Sequence, residues 1–141
     1  MYAEAGTPAQ AKQTSYPAGR DFAFFFEGLA EGRLLVQRCH GCGTLRNPPG
    51  PMCGECGSLG WVPVDVQPHG TVFSYTVHRH PPIPPFATPH VVALVDMADG
   101  FRLLGPVSGI APEDMAIGLP VRVEIGRFEH PFPSFRFVEG A

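Results

Sequence analysis

Residues 39–57 read Cys39-His-Gly-Cys42-Gly-Thr-Leu-Arg-Asn-Pro-Pro-Gly-Pro-Met-Cys53-Gly-Glu-Cys56-Gly57, two matching knuckles on either side of a proline- and glycine-rich turn. Each knuckle places two thiols on a tight bend, and the glycine after the second cysteine lets the backbone fold back toward them. Four soft sulfur donors at this spacing suit a tetrahedral Zn²⁺ site with no position left for a catalytic water; iron in a rubredoxin-like site uses the same donors. Two disulfides would require an oxidising compartment, and a redox Cys-x-x-Cys goes with one such pair beside a βαβ unit. His40 lies between the first two ligands and, with four cysteines present, is read as a neighbour of the site.

N-terminal to the knuckles, Phe22, Phe25, Phe26 and Leu29 recur at the spacing of one helical face, with Asp21 placed to cap the helix and Gly28 and Gly32 limiting it to an end near Ala30. Phe24, Phe25 and Phe26 point about 100° apart in turn, so at least one is expected on the surface, where it either covers the ribbon or docks a partner. Residues 1–19 hold Pro8, Pro17 and Gly19 without apolar periodicity and are read as a flexible leader.

C-terminal to the knuckles the text alternates. Leu34 to Arg38 and Trp61 to Val66 read as strands, and Gly70 to His78 sets Phe73, Tyr75 and Val77 on one face. His80 to His90 contains Pro81, Pro82, Pro84, Pro85 and Pro89 and is a stiff loop. Val91 to Met97 and Phe101 to Val107 form a hairpin across Asp99-Gly100. Pro112-Glu113-Asp114 begins a helical turn, Val121 to Phe128 alternates again, and Ser134 to Val138 is the last strand. Five strands from Gly70, with a short helix between the third and fourth, are the order of an OB barrel. The expected fold is mostly β: a leader at 1–19, a short helix within 20–33, a rubredoxin-like zinc ribbon at 34–60 and a five-stranded OB-fold domain at 61–141.

Composition narrows the function. The chain has 141 residues, 44% hydrophobic and 16% charged, with Gly 17 and Pro 17, which fits a globular β-rich protein. No apolar stretch approaches the roughly 18 residues of a membrane span, and no secretory signal is visible, so a reducing cytoplasmic setting is expected. The formal charge is -3 and Lys12 is the one lysine, so no basic stripe is available to nucleic-acid phosphates. His69, His78, His80, His90 and His130 are scattered without a nucleophile or acid partner that would identify a catalytic group.

The segments FFFEGLAEGRLLVQRCHGCGTLRNPPGPMCGECGS (24–58), GTVFSYTVHRHPP (70–82), VVALVDM (91–97), RLLGPVSG (102–109) and EDMAIGLPVRVEI (113–125) resemble the domain of unknown function 35 family over residues 21 to about 127. The resemblance implies a cysteine ribbon preceded by a helix and followed by an OB barrel, with Cys39, Cys42, Cys53 and Cys56 matching metal ligands that some members lack. It also implies a non-catalytic accessory subunit. Such a subunit would bind a thiolase-superfamily aldolase, thiolase or acyltransferase, or a hotdog-fold enoyl-CoA hydratase, and assist acyl-CoA binding or transfer in lipid or steroid metabolism. The C-terminal FEHPFPSFRFVEG (128–140) is richer in aromatic residues than the usual family ending.

Expected partner or CoA contacts are Ile83 and Phe86, which the proline loop presents at low ordering cost, Arg79 at its base, whose guanidinium suits a phosphate or carboxylate, and Phe24 and Phe25. A single-stranded nucleic-acid-binding protein is the alternative, since ribbon and OB folds both serve that role, with Phe73 and Tyr75 as stacking residues. A free-standing hydratase or thioesterase ranks below both. Titrating the protein against single-stranded DNA at physiological salt is expected to show weak or absent binding; sub-micromolar affinity with a steep salt slope would restore the nucleic-acid reading.

Overall fold

The computed structural model describes residues 21–129 and 131–140, so the leader expected at 1–19 lies outside the described residues. Helix α1 (Ala23–Ala30) is followed by β1 (Leu35–Cys39), β2 (Leu45–Arg46), β3 (Trp61–Asp65), β4 (His69–His78), β5 (His90–Met97), β6 (Arg102–Val107), a 3₁₀ turn (Pro112–Asp114), β7 (Pro120–Gly126) and β8 (Ser134–Glu139). The first three strands form a sheet in the order β2-β1-β3, and the remaining five close a barrel in the order β4-β5-β6-β8-β7. The expected ribbon and OB barrel are both present. Strand β3, expected to open the barrel domain, pairs along its whole length with β1, because Trp61 to Asp65 meet Cys39 to Leu35 in antiparallel register. No helix of the described residues is long and apolar enough to cross a membrane.

The helix ends where expected: Gly32 adopts φ +75°, and its amide and that of Arg33 return to the carbonyls of Leu29 and Gly28. Its start differs. Phe22 occupies the N-cap position and no side chain caps the helix, so Asp21 does not play that part. All three central phenylalanines also meet their own chain, because α1 packs on β1 of the ribbon and on β7 and β8 of the barrel. Phe24 lies 4.7 Å from Trp61, and Phe25 is buried edge-on to Phe135 at 6.0 Å and to Phe26 at 5.6 Å. The exposed ring is Phe22.

One hydrophobic core runs from Phe25 and Leu29 through Leu34 and, in β1, Val36 into the barrel, where Val72, Ala93, Val95, Val121 and Phe137 are fully or nearly enclosed. Strand β4 departs from simple alternation. A bulge between Val72 and Ser74 puts Val72 opposite Val95 and Tyr75 opposite Ala93, which turns Phe73 outward. Its ring, 42% exposed, lies beneath the Arg102 guanidinium at 3.6 Å. Neither Phe73 nor Tyr75 is barrel core; Tyr75, 38% exposed, donates its hydroxyl to the Met115 carbonyl at 3.2 Å.

The β5–β6 hairpin turns at Asp99-Gly100 as expected, with Gly100 at φ +90°. Gly105 of β6 faces the Phe135 ring so closely that a Cβ there would overlap it. Gly105→Ala should thus cost about 1–3 kcal/mol by overpacking, and Phe135→Leu in the same chain should recover part of it. Urea unfolding of the single and double variants measures this coupling, and additive losses would show that the ring does not set the cost.

Candidate metal centre and the groove beside it

The two knuckles repeat one set of backbone bonds. The Gly43 amide donates to the Cys39 carbonyl at 3.0 Å and that of Gly57 to the Cys53 carbonyl at 2.9 Å; the Cys39 and Cys53 amides donate to Thr44 and Ser58, each at 2.9 Å. Gly43 and Gly57 share φ +78°, a conformation costly for residues with a Cβ. The sequence places glycine at both points where the chain turns back.

These turns bring the four sulfurs together. Cys39 and Cys56 Sγ are 3.5 Å apart, Cys42 and Cys53 Sγ are 3.7 Å apart, and all four lie within 4.8 Å of one another. Metal–sulfur bonds of about 2.3 Å in a tetrahedron require sulfurs about 3.8 Å apart, whereas a disulfide requires about 2.05 Å. The arrangement fits a tetrathiolate metal ion. Cys39 and Cys53 are buried while Cys42 and Cys56 face outward. His40 is exposed and outside the sulfur cluster.

The thiols are electrostatically unequal. The Cys42 amide, helped by that of Gly41 and by the neighbouring sulfurs, lowers Cys39 to about 6 despite partial desolvation. The hydroxyl and amide of Thr44 lower Cys42, whose Sγ is 3.1 Å from Thr44 Oγ1. At Cys56 the Ser58 amide favours the thiolate, yet the other sulfurs and burial push the thiol up to about 12. Four clustered sulfurs cannot all ionise unaided, and a divalent cation removes that conflict.

The other expected site residues divide. Arg79 and Ile83 are exposed on the proline loop. Phe86 stacks on His90, with ring centroids 4.4 Å apart and planes at 26°. Burial, with His78 acting the same way and Glu129 opposing, holds the His90 imidazole below its ordinary range. Phe86 and Phe25 share the wall of one groove of about 460 Å³, whereas Phe24 packs on the ribbon and Arg79 and Ile83 are not among its lining residues. Phe22, Phe26, Leu94, Leu104 and Phe135 are among the other apolar residues of that wall, and Arg102 and Glu129 also line it.

Sequence reasoning missed Leu94 and Leu104, which oppose each other in the β5–β6 ladder on the outer barrel face; Leu104 is 62% exposed. The clue was the run Val91 to Val95, apolar on both faces of an antiparallel strand that needs only one such face for the barrel.

Two families match the chain in succession. ChsH2, rubredoxin-like zinc ribbon domain, matches residues 26–62, and ChsH2, C-terminal OB-fold domain, matches residues 63–126. The probable enoyl-CoA hydratase alpha subunit of Thermomonospora curvata is 51% identical over 102 residues, covering 72% of this chain and 32% of that protein. The 3-oxo-4,17-pregnadiene-20-carboxyl-CoA hydratase alpha subunit of Mycobacterium tuberculosis is 41% identical over 105 residues, covering 74% and 33%. The chain thus spans about a third of the length of these curated relatives. Among solved structures, the Ltp2-ChsH2(DUF35) aldolase contains a chain that matches with TM-score 0.83 and 42% identity, over 90% of this chain and 100% of that one.

Because the sulfurs must shed protons to bind a cation, metal affinity is expected to fall as pH falls, most steeply below about 6, where Cys39 takes up its proton. Chelator competition across that range checks it; an affinity independent of pH would contradict thiolate ligation. Cys53→Ser should yield metal-free or aggregated protein, since structural zinc contributes roughly 10 to 16 kcal/mol in finger peptides. Elemental analysis reads that result.

Proposed function

Because this chain belongs to the DUF35 family, with a ChsH2-type zinc ribbon and OB-fold domain in tandem, we propose that it is a non-catalytic accessory subunit that assists acyl-CoA binding or transfer by a thiolase-superfamily enzyme. Aldolases, thiolases and acyltransferases are the partner classes, in lipid or steroid metabolism, and the setting is cytoplasmic. The observation that carries the reading is the apolar groove where helix, ribbon and barrel meet. Its wall suits an acyl chain or the apolar flank of a partner, and no cluster of acid, base and nucleophile accompanies it among the described lining residues.

Zinc is the resident ion in this reading, held by Cys39, Cys42, Cys53 and Cys56, and it supplies a cross-link between knuckles rather than reaction chemistry. Domains run as read from the sequence, with the ribbon extended through β3. Phe86 and Phe25 contribute to the groove, Ile83 and Arg79 lie outward on the loop for a partner surface or a CoA phosphate, and Phe24 braces the helix on Trp61.

A second reading makes the partner a hotdog-fold enoyl-CoA hydratase. It draws support from the names of the hydratase alpha subunits, whose similarity to this chain is confined to about a third of their length.

Leu104→Asp places a charge on an already exposed position, so zinc content and unfolding midpoint should stay close to wild type while co-purification with the catalytic subunit is lost. Phe86→Asp should have the same effect if the loop also contributes. Co-purification and acyl-CoA turnover that survive both substitutions would remove the groove as the functional surface. Identifying the co-purified enzyme separates the two readings.

A further inference from the structure

Gln37 and Arg46 face each other across the β1–β2 ladder and are the buried polar side chains among the described core residues, at 0% and 8% exposure. Burying a guanidinium is costly unless an opposite charge is near. Arg46 takes part in none of the ion pairs among the described residues. Its Nη1 donates to the Gly50 carbonyl at 3.2 Å and its Nη2 to the Gly60 carbonyl at 3.3 Å. Arg46 Nε and Gln37 Nε2 have no acceptor among the described residues. Two uncharged, rather long carbonyl contacts do not account for a cation in this position.

The two carbonyls indicate what does. Gly50 lies in the turn that delivers Cys53, and its amide is held in addition by Gln37 Oε1 at 2.9 Å. The Gly60 carbonyl, which follows the second knuckle, also accepts the amide of His40 inside the first knuckle at 2.9 Å. Arg46 thus grips the backbone on both sides of Cys53–Cys56 and, through Gly60, reaches the Cys39–Cys42 turn. Four thiolates around a divalent cation carry a net charge of about −2, and the exposed arginines of the ribbon, such as Arg38, are screened by solvent.

We propose that Arg46 is a positioning residue of the metal centre: it supplies the buried positive charge that offsets the tetrathiolate and clamps the turn that carries two of its ligands. The inference rests on the metal reading of the four cysteines and is independent of acyl-CoA or any partner. Its consequence is metal retention. Without the charge, the ribbon can still assemble four sulfurs but holds the ion less tightly.

The test compares zinc release to an excess of a chromogenic chelator from wild type, Arg46→Met, Arg46→Lys and Val36→Ala, the last a buried apolar truncation in the same sheet that leaves the charge in place. Arg46→Met is expected to release zinc roughly 10- to 100-fold faster, the range seen when groups supporting metal ligands are removed. Its Co²⁺-substituted form should keep the absorption bands of a four-thiolate site. Arg46→Lys keeps the charge but not both carbonyl contacts, so its release should exceed that of wild type by less than about tenfold, and Val36→Ala should release slowly despite a lower melting temperature. Wild-type release from Arg46→Met, or equally fast release from Val36→Ala, would overturn the proposal in favour of a purely structural arginine. If Arg46→Met does not fold with metal supplied, Arg46→Lys decides: release within about tenfold of wild type supports the charge, and release faster than that refutes it. Wild-type protein free of any metal would instead refute the metal reading itself.

Discussion

The convergence of four thiols on one point is the constraint from which the rest of the molecule is organised. The ribbon between Cys39 and Cys56 has little apolar material of its own, because residues 47–52 are Asn, Pro, Pro, Gly, Pro and Met, and such a segment does not order itself by burial. Cys39 is also the last residue of β1, the central strand of its sheet. At its other end, Leu34 and Val36 enter the same core as Phe25, Leu29 and the barrel residues. Fixing one end of β1 on the sulfur cluster therefore fixes the strand on which helix and barrel meet.

The joint between the two domains is apolar and stiff, with a few polar ties. Phe24 on Trp61 and Phe25 on Phe135 hold the helix to the ribbon and barrel in turn. The Asn47 side-chain amide donates to the Arg102 carbonyl at 2.8 Å across the joint, and beside it, within the ribbon sheet, Arg33 grips Asp65 with two nitrogens. The second of these is exposed and screened by solvent, so it sets direction more than stability. What remains open after this packing is the groove, where Leu94 and Leu104 of the outer barrel face share a wall with Phe25 and Phe26 of the helix. A recess of this kind between two small domains suits a protein that works against another surface.

The metal centre and the groove are linked through β1 and α1, yet their physical demands are opposite. The centre gathers negative charge and needs donors nearby, which the knuckle amides and Thr44 provide at the sulfurs. The groove excludes charge except at Arg102 and Glu129. This division fits the structural role proposed for the metal and the binding role proposed for the apolar face.

The amino-acid sequence by itself determined the parts of the structure that depend on local chemistry. Paired cysteines with a following glycine specify a knuckle whatever surrounds them, five prolines in eleven residues exclude regular structure, and Gly32 and Asp99-Gly100 mark a helix end and a hairpin. Alternation located β4 and β7, a continuous apolar run and the Asp99-Gly100 turn located β5 and β6, and strand order with one intervening turn pointed to the OB topology. Tertiary structure decided whatever depends on one segment meeting another. The bulge at Val72–Ser74 turned Phe73 out of the core, pairing with β1 drew β3 into the ribbon, and Phe22 took the helix N-cap in place of Asp21. The groove and the burial of Arg46 were likewise invisible in the text, because an arginine four residues past Cys42 and a leucine on a strand look the same whether solvent or protein lies opposite. Only the folded chain supplies that opposite face.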